Sequence, residues 1–268
     1  MTRRILRGYA RHLYHSTFRA VNHWRNRATD FRPKLLVLVY HRVLADTGSN
    51  PFEMVVSSDT FVRQIDYLAS HYPIISLDDA IAQCDRAQAR AKEQVVLTFD
   101  DGFRDNYETV FPVLSRKGIP AAFFVSTDLV GSQTPHRFWT DAVKKDTYRD
   151  DLCMTWEQVK ALSAGGMVIG SHGMSHRSLA RIPFEEASVE ITGSKAVIEK
   201  ETLKPCKYFA FPFGSRKDYG SALIDCAKNA GYEGIFLNVH GYNRFTPHMA
   251  ALKRIIMEEH VNPGHLLG

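Results

Sequence analysis

VVLTFDDG, residues 95 to 102, runs from five strand-favouring residues directly into two carboxylates and a glycine. Valine, phenylalanine and threonine suit a pleated, buried surface, and the glycine permits a tight turn. Asp100 and Asp101 are therefore expected at the carboxyl end of a strand. Outward from this stretch the pattern repeats: LLVLVY (35–40), AAFFV (121–125), MVIGS (167–171), YFAF (208–211), GIFLN (234–238) and RIIM (254–257). Between these runs lie helix candidates. One covers 59–70, with Phe61, Ile65 and Leu68 on one side, and another covers 78–84, where Ser76 precedes Asp79 in capping-box spacing. Others are 156–164, 184–200, and 217–230 ending at Gly231. Strands alternating with helices mean parallel strands joined by crossovers. Seven such units without a linker rich in Pro, Gly or Ser predict an α/β fold, a single closed or nearly closed (β/α) barrel of about seven strands over residues 34–268. In such a barrel the chemistry sits at the carboxyl ends of the strands.

Composition fits this reading. With 268 residues, 44% hydrophobic and 24% charged, the chain can bury a core, and disordered, collagen-like and disulfide-scaffold classes are excluded. The net charge of +5 is uneven. Residues 1–32 hold eight Arg and one Asp, so they carry +7 and leave −2 on the other 236 residues. The basicity thus belongs to an N-terminal extension, residues 1–33, and the body offers no reason to expect a nucleic-acid partner. Within the extension Leu6, Tyr9, Ala10, Leu13, Ala20, Val21 and Trp24 fall near helical spacing, while Arg3, Arg7 and Arg11 form a basic stripe. A basic amphipathic helix can make peripheral contact with an anionic membrane through residues 1–30; the alternative is a helix packed on its own domain. Cys84, Cys153, Cys206 and Cys226 are 69, 53 and 20 residues apart, which suits reduced structural thiols. Before residue 33 no apolar run exceeds two residues, and LLVLV at 35–39 is too short to span a bilayer. The expectation is cytoplasmic residence, peripheral at the inner membrane face, with no signal peptide or transmembrane helix.

Asp-Asp pairs also occur at 78/79 and 150/151, so the dipeptide alone decides nothing. A second signal is SHGMSH at 171–176, again at a strand's end. His172 and His176 are four apart, a spacing that lets two imidazoles converge on one ion within a helical turn. His12 and His15 show that such clustering also arises without function in a chain with 12 histidines. Two histidines with one carboxylate from another strand end of the same barrel would form an open metal site with room for water and substrate. If Asp101 joins the ion, Asp100 is left as the general base for a water whose pKa the ion lowers. The water would attack a carbonyl whose oxygen is held partly by a backbone N–H, and a general acid would protonate the leaving amine or alkoxide.

TFDDG followed by FRDNYETVFPVLSRKGIPAAFFV, then MTWEQVKALSAGGMVIGSHGMSH, resembles the polysaccharide deacetylase family, also called the NodB-homology or carbohydrate esterase family 4 domain. The likeness runs over roughly residues 35–260. It implies a distorted β/α barrel, Asp100 as catalytic base, and Asp101, His172 and His176 as ligands of a divalent ion, usually Zn2+, with Co2+ or Ni2+ as alternatives. A third family motif reads Arg, any residue, Pro, aromatic, Gly; AFPFG at 210–214 keeps Pro212, Phe213 and Gly214 but has Ala210 in place of the Arg that orients the base. Arg254 is a candidate substitute. The Phe213 N–H matches the group that helps hold the oxyanion. The family's late Leu-His acid motif has no clean match. VYHRV at 39–43 resembles the YH motif of a subset acting on exopolysaccharides and cell-surface glycans, which makes His41 the acid candidate, with His240 as the alternative. Phe103, Tyr107, Trp139 and Phe213 are candidates for lining a sugar cleft, Trp139 foremost, against a core role.

The reading that follows is a metal-dependent hydrolase removing acetyl groups, N-acetyl first, from an amino-sugar polysaccharide or a lipid-linked glycan precursor. Its alternatives are O-deacetylation, hydrolysis of a cyclic ureide or imide, and an inactive glycan-binding module. An Fe(II) oxygenase would call for an all-β scaffold and an HxD spacing, which are not seen.

Overall fold

The computed structural model describes residues 34–48, 53–85, 92–132, 153–245 and 251–266. The basic extension and Trp139 with its neighbours in sequence lie outside the described residues. Each of the seven apolar runs contains a strand. In chain order the strands are β1 (Lys34–Tyr40), β2 (Arg42–Leu44), β3 (Val55–Ser57), β4 (Gln94–Phe99), β5 (Ala122–Val125), β6 (Val168–Ser171), β7 (Tyr208–Ala210), β8 (Gly234–Leu237), β9 (Asn243–Arg244), β10 (Leu252–Lys253) and β11 (Ile255–Ile256). The main sheet runs β10-β8-β7-β6-β5-β4-β1-β11, every neighbouring pair on this path parallel. β9 pairs antiparallel with β1, and β2 with β3 form a separate parallel pair.

The two edges of that sheet are one residue apart in sequence. Leu252 and Lys253 pair with Phe236 and Leu237 of β8, while Ile255 and Ile256 pair with Leu38 and Val39 of β1. The chain therefore changes partners at Arg254, where the last apolar run begins, and the sheet comes round to a nearly closed barrel. Fully buried strands such as β4 read as continuous apolar runs because both faces are covered. Alternation still sorts the side chains. Leu36, Leu38 and Tyr40 face Phe61, Ile65 and Leu68 of the outer layer, whereas Leu35, Val37, Val96, Phe124, Tyr208 and Phe236 form an inner cluster. Each such side chain contributes on the order of 1.5–3 kcal/mol when fully buried.

The outer layer comprises α1 (Ser58–His71), α2 (Leu77–Asp85), α3 (Phe111–Lys117), α4 (Trp156–Ala164), α5 (Phe184–Thr202) and α6 (Ser221–Asn229). Their starts follow local chemistry. The Ser57 hydroxyl caps Thr60 N–H, and Thr155 with Gln158 closes a full capping box. Ser76 Oγ accepts from Asp79 N–H at 3.0 Å and donates to Asp79 Oδ2 at 2.7 Å, so that acidic pair is a helix start. The structure adds helical stretches beyond those candidates, among them a π-turn at Asn106–Val110 that leads into α3, where Pro112 occupies the first turn. Proline has no N–H to give to Glu108, and the wide turn lets Phe111 N–H reach Asn106 instead.

Candidate metal centre and active site

Asp100 follows β4 directly, and its N–H donates to the Tyr40 carbonyl at 3.0 Å, which ties it to the end of β1. The chain then turns at once. Asp101 and Gly102 both have left-handed backbones, with φ of 73° and 71°. At Gly102 a Cβ would stand 3.1 Å from Val125 Cγ1, so glycine is required both by φ and by space. This turn sends the two adjacent carboxylates to different partners.

Asp101 turns to the histidines. Its Oδ1 lies 3.3 Å from His172 Nε2 and 3.0 Å from His176 Nε2, and one ligand atom from each residue lies within 4.8 Å of the others. His172 follows β6, with its N–H on the Val125 carbonyl at 2.9 Å. Its Nδ1 is 2.8 Å from the Ala210 carbonyl. A carbonyl only accepts, so Nδ1 carries the proton and Nε2 presents a lone pair to the site. Asp101 Oδ1 is buried and has no directional hydrogen bond despite these short approaches. Lone pairs converging in a buried place repel unless a cation or proton lies among them. Two imidazoles and one carboxylate with positions left over fit a divalent ion such as zinc.

The spacing of four expected a helical turn. The structure instead places His172 and His176 on a loop, with Gly173 at φ 75° and His176 at φ 55°. The two rings converge, 5.0 Å between centroids, because the loop doubles back after β6.

Asp100 turns to Arg254. Both are fully buried, and the guanidinium grips the carboxylate bidentately, Nη1 to Oδ1 at 2.7 Å and Nη2 to Oδ2 at 2.6 Å. Arg254 also stands over the Phe124 ring, 5.7 Å from its centroid. Burial pushes the Asp100 carboxyl up, but Arg254 and then His172 outweigh it and hold it below the ordinary range. For Asp101, burial is opposed first by His176, and the carboxyl ends well below its usual value. His172 is lowered by burial and raised more by Asp100 and Asp101.

His41, just past β1, is buried, and its Nδ1 has no hydrogen-bond partner. Burial lowers its pKa against the pull of Asp101 and Asp100. Its backbone is fixed from two sides: Asn106 Nδ2 donates to its carbonyl at 2.9 Å, and the next residue, Arg42, pairs with Asp105 at 3.0 Å. The alternative acid, His240, is exposed. Pro212 to Gly214 form the wall beside His176, whose ring is 4.9 Å from that of Phe213. Phe213 has φ 60°, and a Cβ at Gly214 would come 2.7 Å from the Asn238 nitrogen, so this turn too demands glycine. Phe103 is fully buried, against β3, which is a core position, and Tyr107 is half-buried and stacks on Phe111.

Sequence reading missed the residues that brace the site: Asp105, Asn106, Glu190 and the Ala210 carbonyl. Asp105 and Asn106 stand within six residues of Asp100 in the FRDN stretch, which was a signal of proximity; Glu190, in the middle of α5, offered none.

The family model for polysaccharide deacetylase matches residues 87–235. The chain belongs to the polysaccharide deacetylase family. The matched segment holds Asp100, Asp101, His172, His176, Pro212 and Phe213, while His41, between β1 and β2, and Arg254, between β10 and β11, flank it on either side. Among curated family proteins, YxkH of Bacillus subtilis (strain 168), whose name assigns it to polysaccharide deacetylases, is 24% identical over 206 residues, 76% of this chain and 64% of that protein. A poly-beta-1,6-N-acetyl-D-glucosamine N-deacetylase of Staphylococcus aureus (strain MRSA252) is 26% identical over 200 residues, 68% of this chain and 66% of that protein. This chain thus spans just under two thirds of these relatives. Among solved structures, IcaB from Ammonifex degensii has a TM-score of 0.71 at 25% identity, covering 87% of this chain and 94% of that one. The Streptococcus pyogenes deacetylase PplD, in complex with acetate, shares the fold with a TM-score of 0.72 at 22% identity, covering 88% of this chain and 97% of that one. The family deacetylates polysaccharides. No helix among the described residues is long and apolar enough to cross a membrane.

Proposed function

We propose that the chain is a metal-dependent hydrolase that removes N-acetyl groups from an amino-sugar polysaccharide or glycan precursor. The observation that carries this reading is the division of labour between two adjacent carboxylates, Asp101 turned to His172 and His176 and Asp100 gripped by Arg254. The relatives named as N-deacetylases of a poly-N-acetylglucosamine favour N-acetyl over O-acetyl substrates.

Asp101, His172 and His176 would hold the ion, zinc by their chemistry. When bound, it would polarise the acetyl carbonyl and acidify a water. Asp100, ionised at neutral pH because Arg254 outweighs its burial, takes the proton from the attacking water. Arg254 fixes the direction in which that carboxylate can accept. The Phe213 N–H, presented by its left-handed turn beside Pro212, is assigned to the developing oxyanion. His41, at the end of β1 beside both carboxylates, delivers a proton to the leaving amine. An acid must be protonated to act, so the rate falls as pH rises through its pKa. Burial lowers that pKa, and the fall starts earlier than for an exposed histidine.

The test is acetate release from a panel of N- and O-acetylated glycans with added zinc, cobalt or nickel. Release from N-acetylated oligomers is expected; release only from O-acetyl esters or only from small cyclic amides would replace this reading. In the same assay His41→Ala should lose the alkaline limb of the kcat/KM profile; if the limb persists and His240→Ala removes it, His240 is the acid. Trp139 is kept as a candidate sugar contact. Residues 1–33 are assigned as an extension to the domain 34–268, and their +7 charge over residues 1–32 supports peripheral contact with an anionic membrane at a cytoplasmic face. Deleting residues 1–30 should then reduce sedimentation with anionic vesicles.

A further inference from the structure

The loop that carries both histidines is tied on one side to the segment after β5, where Thr127 N–H donates to the Gly173 carbonyl at 3.2 Å and Asp128 N–H to the Met174 carbonyl at 2.9 Å, and it holds a non-glycine residue, His176, in the left-handed region at φ 55°. Such a conformation persists only where the surroundings impose it. On its other side the surroundings are one face of α5. Glu190, 7% exposed, accepts Met174 N–H at 2.7 Å and Ser175 N–H at 2.9 Å on Oε2, and its Oε1 accepts the Ser175 hydroxyl. Three residues on, Gly193 leaves room for Met174, whose sulfur would be 2.8 Å from a Cβ at that position. One residue further, the Ser194 hydroxyl meets Ser171 Oγ at 2.7 Å, and Ser171 Oγ accepts Gly173 N–H at 3.1 Å. Positions i, i+3 and i+4 share a helix face, so all three contacts fall on one stripe. Ser171, Met174 and Ser175 are thereby docked on α5, just before the first histidine and between the two.

We infer that Glu190 is a positioning residue for the metal ligands: it shapes the loop that brings His172 and His176 together, and thereby sets the affinity of the site for its ion. The carboxylate does this by accepting two consecutive backbone N–H groups and a hydroxyl, which no apolar residue at that position can do. The inference rests on the metal reading of Asp101, His172 and His176.

The experiment is zinc titration of the purified full chain against a chromogenic chelator, with circular dichroism of each zinc-free variant to register its fold. Glu190→Ala should bind zinc about ten- to a hundredfold more weakly, as loss of an outer-shell partner does. Glu190→Gln should recover most of the affinity, because its amide oxygen can accept the two N–H groups while the Ser175 hydroxyl reverses to accept from the amide. Wild-type affinity in Glu190→Ala overturns the inference. So does a Glu190→Gln variant as weak as Glu190→Ala, which would mean that the charge acts and the position does not. If Glu190→Ala does not fold, Ser175→Ala removes only the hydroxyl contact; a loss of about tenfold is expected, and unchanged affinity overturns the inference. A failure of the metal reading is seen separately: the wild-type chain would not bind zinc, or His172→Ala would bind it equally well.

Discussion

Asp100→Asn should leave zinc binding in place and lower acetate release by about 10²–10⁴-fold, the span that a positioned general base contributes. The side chain keeps its shape, and the Asp101 and histidine donors are untouched, so metal stoichiometry is the internal control. What is lost is the ability to accept a proton from water. The amide also presents an NH2 to one arm of the Arg254 fork, where the carboxylate offered an acceptor at 2.6–2.7 Å to both arms. Turnover measured at saturating zinc checks the result. Acetate release close to wild type would remove Asp100 from the role of base.

Arg254→Met carries the largest expected effect on stability, a loss of about 3–5 kcal/mol, because it strands a charge in the interior and does not merely delete a favourable contact. Asp100 and Arg254 are both fully buried, so neither can turn to solvent for compensation. With Arg254 removed, burial dominates the Asp100 carboxyl and its pKa moves from below the ordinary range to above it. The sign of the pH dependence then reverses at this site. In the wild-type chain the depressed pKa stabilises the fold above the unfolded-state value near 3.9 and is lost as pH falls through the folded pKa. In Arg254→Met the raised pKa costs stability at neutral pH and the cost is relieved as pH falls. Denaturant unfolding of zinc-free protein at about pH 5 and about pH 7.5 should therefore show a smaller deficit at the lower pH. The double variant Asp100→Asn/Arg254→Met should be more stable than Arg254→Met alone, since the stranded charge is gone. A deficit that is small and equal at both pH values, with no recovery in the double variant, would show that Arg254 is not the counterion of Asp100.

Much of this arrangement was legible in the chain. The strands show because buried parallel strands are uniformly apolar and cannot be confused with their polar surroundings. The Asp100, Asp101 and His172, His176 positions show because chemistry at strand ends leaves polar groups directly after such runs. Arg254 could be named because it opens an apolar run that also had to close the barrel, although sequence alone could not say which way its side chain points. The helix over 111–117 was hidden by Pro112 and by the π-turn before it, which together break the period that reveals helices. The loop form of His172 to His176 was hidden for a related reason. A spacing of four matches a helical turn, and only the left-handed backbones at Gly173 and His176 show how a loop achieves the same convergence. Glu190 was illegible because a glutamate within an amphipathic helix looks like any solvated one until its burial and its acceptor contacts are known. Ala210 looked like a loss, an Arg replaced by a residue without a functional group; what remains there is a carbonyl that sets the tautomer of His172.

The change of partner at Arg254 has a consequence for how the chain reaches competence. The residue that neutralises Asp100 is 154 positions downstream of it and belongs to the segment that joins β8 to β1. Until that segment docks, the sheet is open between β8 and β1 and Asp100 lacks its guanidinium partner. Chains fold largely from the N-terminal side as they are made, so the nucleotide message for the base is read long before the message for its anchor. On the proposed function, acceptance of a proton by Asp100 in its working geometry would thereby be tied to completion of the barrel, and a nascent or clipped chain that had assembled the histidine loop but lacked the closing segment would lack the anchor of its proposed base.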